Sequence, residues 1–171
     1  LKSDLRVDLA GVLAGRVCLI GIGNEDLGDD AFGVELARRL TERGVRRVIA
    51  AGTAPEGWMG VVTSAGYDNV VLLDAVLCDA EPGSVILMNA SEIEARFPQV
   101  STHKISLGTL ARLVEGQGAR VWLLGTRPET AAPGRGLSAP VSGVVDRLTE
   151  VICDVLARHP ARGTTTECVI Q

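Results

Sequence analysis

The chain has 171 residues, 46% hydrophobic and 22% charged, with a net charge of -4. That composition supports one well-buried core and excludes a disordered chain, and the acidic balance without a long Lys/Arg run argues against a nucleic-acid surface. Aromatic residues are only 3% of the chain, so Val, Leu, Ile and Ala must build the core.

No apolar run approaches the ~20 residues of a membrane span, and no secretory leader is visible. The cysteines, Cys18, Cys78, Cys153 and Cys168, form no C-x-x-C pair. Cys18 and Cys153 sit in apolar runs and read as small core residues. A reducing, cytoplasmic location is expected, with no membrane insertion and a monomeric state.

Leu1 to Gly15 mixes charges with Leu and Val and predicts a short helix ending near Gly11 or Gly15. Val17 to Ile20 is a continuous apolar run before Gly21, the pattern of a strand buried on both faces. A helix is expected from Asp29 or Asp30, with Ala31, Val34, Ala37 and Leu40 on its apolar face and Gly44 ending it. One of the two aspartates is expected to cap it.

Arg47 to Ala51 reads as a second strand, and Trp58, Met59 and Val62 mark a weaker helix after it. Strands three, four and five are expected at Val70 to Leu73, Ser84 to Met88 and Ala119 to Leu124. A short helix opens at Ser91, a loop runs from Pro98 to Lys104, and a helix follows from Ile105 to Val114. Thr126 to Gly136 is a Pro- and Gly-bearing loop, and the last helix starts at Ser138 or Pro140 and ends at His159-Pro160.

Strands alternating with helices predict a three-layer α/β sandwich: a mostly parallel, twisted, five-stranded sheet with helices on both faces. Residues 1–171 are read as one domain, with its core at about residues 16–158 and a loose tail after it.

Ligands of such sheets bind beyond the carboxyl ends of the strands, so the polar residues of those loops matter most. Gly21-Ile22-Gly23 starts like a dinucleotide fingerprint, but Asp26 stands where the third glycine belongs. Ala50 and Ala51 leave no acid to hold a ribose, and Asp29-Asp30 would repel a pyrophosphate. Asp30, Asp74 and His103 come from three separate connections at one end of the sheet. Two carboxylates and one imidazole with open positions suit a divalent cation such as zinc, nickel or manganese. Ser101 and Ser106 flank His103, yet nothing orders them into a nucleophile–base set. His159, the other histidine, reads as a partner for a helix C-terminus.

Together these segments resemble the hydrogenase maturation proteases, which process the large subunit of nickel-iron hydrogenases. The resemblance runs from Gly21-Ile22-Gly23-Asn24 through Gly28-Asp29-Asp30-Ala31-Phe32-Gly33 to Gly52-Thr53-Ala54-Pro55-Glu56. It continues at Leu72-Leu73-Asp74-Ala75, at Thr102-His103, and at Leu123-Leu124-Gly125 followed by Arg127-Pro128-Glu129. It implies an endopeptidase that removes the C-terminal extension of a nickel-loaded large-subunit precursor. On that resemblance Asp30, Asp74 and His103 contact metal, Asp30 and Asp74 are catalytic, and Gly23, Asn24, Gly52 and Thr53 meet substrate. The nickel is supplied by the precursor, with another divalent cation able to take its place in the isolated protein. One departure is Ala50, where the family often carries an aspartate. It keeps open the alternative of a non-catalytic nickel- or precursor-binding chaperone. A second is the length of chain before the first strand.

Overall fold

The computed structural model describes residues 5–96, 106–134 and 136–158. Five strands form one sheet: β1 (Val17–Ile22), β2 (Val48–Gly52), β3 (Asn69–Ala75), β4 (Val85–Asn89) and β5 (Arg120–Thr126). Their order is β2-β1-β3-β5-β4. The first four in that order are parallel, and β4 runs antiparallel on the edge beside β5. The expected three-layer α/β sandwich is what the chain forms.

Every residue of β1 is buried, and so is β3 up to Asp74. Both faces of these strands are covered, which is why their sequences are apolar runs without alternation. One face carries α1 (Leu5–Val12), α2 (Phe32–Glu42) and α6 (Ala139–Arg158). The other carries α3 (Met59–Ser64), α4 (Ala90–Arg96) and α5 (Leu107–Glu115). Each Leu, Ile or Val taken from water into these two cores contributes roughly 2 kcal/mol. The residues before β1 now have a use: Leu9, Val12 and Leu13 are buried in the α2–α6 core.

Local chemistry sets the ends. Val45 N–H donates to Leu40 O (3.0 Å) and Gly44 N–H to Thr41 O (2.9 Å), closing α2 in a Schellman turn with Gly44 at φ 81°. Ser106 caps α5, its hydroxyl accepting Thr109 N–H. The start of α2 departs from expectation. A 3-10 turn over Gly28–Ala31 precedes it, and neither Asp29 nor Asp30 caps it. The turn is pressed so tightly onto the strands that both carboxylates are used elsewhere. The segment expected as a loop from Pro98 to Lys104, the helix stop at His159-Pro160 and the tail lie outside the described residues.

The chain steps outward from β1 to β2, then returns to place β3 on β1's other side. The carboxyl ends of β1 and β3 therefore flank the switch point of the sheet, where such folds open a crevice. Three glycines bring the following turn down onto this point. A Cβ on Gly33 would overlap the carbonyls of Leu73 and Ile22, one on Gly21 would meet Gly33 O, and one on Gly23 would meet Asp30 O. Gly33→Ala is accordingly expected to lower stability by about 3 kcal/mol, read as a fall in the urea midpoint. Gly57→Ala, at a position with open space around it, is the control and should change little.

Candidate active site

Asp29 and Asp30 are neighbours in the chain with opposite environments. Asp29 is fully buried. Its Oδ2 accepts Glu129 N–H (2.8 Å), Thr130 N–H (3.1 Å) and the Ser138 hydroxyl (2.8 Å), and its Oδ1 accepts Ser138 N–H (2.6 Å). The backbone adds Asp29 N–H to Thr130 O (3.0 Å) and Gly28 N–H to Gly134 O (2.8 Å). One carboxylate thus ties the loop after β1 to the loop that joins β5 to α6. Charge-assisted bonds of this kind are the strong ones, and losing them from a buried site is costly. Sequence reasoning missed this role, because the partners are 100 or more residues away.

Asp30 is half-buried, and its Oδ2 accepts Asn24 N–H (2.7 Å). Asn24 in turn accepts Asp26 N–H on its side-chain oxygen (3.0 Å), so the loop is held from within. Asp74 ends the buried run of β3, on the face of the sheet shared with Leu72 and the α3–α4–α5 layer by strand alternation. Burial pushes its carboxyl well above the usual carboxylate range. The nearby charge of Asp30 pushes it the same way, and the N–H of Ala75 opposes both. Asp74 Oδ1 is buried with no hydrogen-bond partner among the described residues.

The structure therefore brings Asp30 and Asp74 together across the switch point. Gly23 and Gly52 lie beside them, joined by Gly23 N–H to Gly52 O (3.1 Å), with Thr53 exposed just beyond. His103 lies outside the described residues. Among the described residues, no group of three or more His, Cys, Asp or Glu gathers to hold a metal. Donor chemistry still suits a cation at Asp30 and Asp74: two repelling carboxylates, one with an orphaned oxygen, are relieved by a positive charge between them. Glu56, in the 3-10 turn Pro55–Trp58 after β2, has a second buried carboxylate oxygen, Oε2, without a partner among the described residues. Ala50 is exposed on β2, paired with Gly21.

A doubly wound α/β sandwich with paired carboxylates at its switch point, in place of a phosphate-binding loop, defines the class of fold and site. Comparison with known proteins narrows it. The model of the HycI hydrogenase maturation protease family matches residues 32–155. The Hydrogenase 2 maturation protease of Escherichia coli is 24% identical over 163 residues, covering 90% of this chain and 98% of that protein. The Hydrogenase 3 maturation protease of the same organism is 25% identical over 130 residues, covering 75% of this chain and 83% of that one. The crystal structure of the nickel-iron hydrogenase maturation protease HycI from Thermococcus kodakarensis superimposes with a TM-score of 0.78 at 32% identity. It covers 88% of this chain and 99% of its own. The chain belongs to the hydrogenase maturation proteases, a family of processing peptidases.

Two measurements follow from the acids. Asp29→Ala is expected to cost about 3 kcal/mol of stability in urea unfolding and to speed protease nicking between Glu129 and Ser138. For Asp74 the sign is opposite. A carboxyl raised on folding is stabilised as its protonated form. Its contribution is fully present below the unfolded value of about 3.9 and is lost as pH rises through the folded value. Asp74→Asn should thus be more stable than wild type at neutral pH, and the gain should vanish below about pH 4. A gain independent of pH would assign it to packing instead.

Proposed function

We propose that this chain is the endopeptidase that removes the C-terminal extension of a nickel-loaded nickel-iron hydrogenase large-subunit precursor. The observation that carries the reading is the buried Asp74 oxygen, without a partner among the described residues, beside Asp30 at the switch point. That pair is incomplete without a cation, and the precursor brings one.

Asp30, Asp74 and His103 meet the substrate's nickel, and Gly23, Asn24, Gly52 and Thr53 position the polypeptide beside it. Burial and the Asp30 charge push the Asp74 carboxyl up, so a cation arriving there would favour its ionised form and binding would weaken as pH falls. A cation held there would polarise the scissile carbonyl or lower the pKa of a bound water; alternatively Asp30, held by Asn24 N–H, would act as general base once the metal fixes the geometry. Ala50 favours a second reading, in which the same site binds the nickel-bearing precursor as a chaperone without cutting it.

The mass of the large subunit separates them. Incubated with a nickel-loaded precursor, the purified protein should shorten it by its C-terminal extension. Binding without shortening would establish the chaperone, and neither binding nor cleavage would sink both readings. Asp30→Asn and His103→Ala should abolish cleavage while leaving thermal stability within about 0.5 kcal/mol of wild type.

A further inference from the structure

A cavity of about 270 Å³ opens at the amino edge of the sheet, the end opposite Asp30 and Asp74. It lies between the α1–β1 turn, the α2–β2 turn and the end of α6. Its floor is core: Val17 and Leu19 of β1 line it, with Leu156 of α6 on the wall. Its rim carries Arg43, Arg46 and Arg47; the carboxylates beside its other walls are engaged, Asp68 by Arg16 N–H next to Gly15 and Asp154 by Arg6 next to Cys153.

These arginines differ from the others near them. Arg38 and Arg39 of α2 are ion-paired to Glu25, Glu35 and Asp146. Arg43, Arg46 and Arg47 form no ion pair among the described residues. Arg43, the C-cap residue of α2, suits the negative end of that helix. Arg46 and Arg47 lie past the helix end and serve it in no such way. The turn that carries them is also held in a costly conformation: Arg47 sits at φ 62°, alone among the described non-glycine residues in the left-handed region. In a chain of net charge -4, the mouth of this cavity is a local reversal of sign.

Size and charge together select the occupant. The volume is just below the range of small-molecule and cofactor pockets, which starts at about 300 Å³. It accommodates one bulky apolar side chain from a segment whose neighbours reach the rim. A floor of Val and Leu under a rim of guanidinium groups is complementary to an apolar residue flanked by carboxylates, which arginine binds in a bidentate fork. The length of β1 sets this cavity roughly 20 Å from the acid pair, so an occupant is not the peptide bond at that site.

We propose that the amino-edge cavity docks an acidic segment of a partner polypeptide, one large apolar side chain entering between β1 and α6 and flanking carboxylates pairing with Arg43 and Arg46. The proposal is independent of the chemistry assigned to Asp30 and Asp74, and its test reads binding, not cleavage.

The probe is a short synthetic peptide with one Leu between Glu residues, titrated into the full chain by calorimetry and by amide shifts of residues 43–47 and 153. Saturable binding that weakens with added salt is expected. Arg46→Glu, a change outside any helix, should weaken it about tenfold or more. Cys153→Phe, which fills the cavity wall and leaves the arginines in place, should block it. Circular dichroism confirms that both variants are folded. The proposal is overturned if the peptide fails to saturate, or if Arg46→Glu binds as well as wild type. Equal binding of a peptide with Ser in place of Leu, or equal competition by inorganic phosphate, would show a bare anion patch and overturn it too. A wild-type dimer that Arg46→Glu dissolves would make the occupant a second copy of this chain, with the same consequence.

Discussion

The site depends on how closely the turn after β1 approaches the strand ends. Backbone meets backbone where Gly33 lies on the Leu73 and Ile22 carbonyls and Gly23 lies on the Asp30 carbonyl. No side chain fits between them. That absence lets the 3-10 turn lie across the switch point, carrying Asp30 to the end of β3. An ordinary helix start, one turn higher, would leave Asp30 and Asp74 on separate walls of an open crevice. The glycines thus act through distance: they set how far apart two like charges sit.

The two buried aspartates show the choices open to a protein that hides a carboxylate. Asp29 is surrounded by donors, three backbone N–H groups and one hydroxyl, and its burial is repaid locally. Asp74 has one oxygen without a partner among the described residues and a like charge beside it. Among the described residues nothing satisfies Asp74 as Asp29 is satisfied. Unrelieved cost of this kind is what stability-only selection removes and what functional sites retain. The contrast separates a carboxylate that holds structure from one left with an uncompensated charge, although both are buried at the strand ends of the same sheet.

Much of the architecture could be read from the chain. The all-apolar runs of β1 and β3 announced strands covered on both faces, and Gly44 marked the end of α2 through its left-handed backbone. The closeness of Asp30 and Asp74 followed from both lying at the carboxyl ends of parallel strands. What could not be read is non-local. Asp29 and Asp30 read as a cap pair because capping is a local pattern, whereas the partners of Asp29, Glu129, Thr130 and Ser138, lie 100 or more residues away. The short charged stretch before β1 gave little sign that Leu9, Val12 and Leu13 would complete the core against α6. The arginines of the amino edge had the same obscurity: a pair such as Arg46-Arg47 says nothing until it is known that neither forms an ion pair among the described residues.

The Asp29 bracket also bears on motion. Its bonds run from the turn that carries Asp30 to Ser138, one residue before α6 begins, and α6 packs along α2 and α1. The turn, the β5–α6 loop and the long helix therefore form a single mechanical unit, braced at one end by a carboxylate and along its length by apolar contact. A force on Asp30 is not absorbed by a hinge beside it but spread over the whole face of the sandwich. Geometry at this pair thus rests on contacts that reach from Ser138 to the α6 layer.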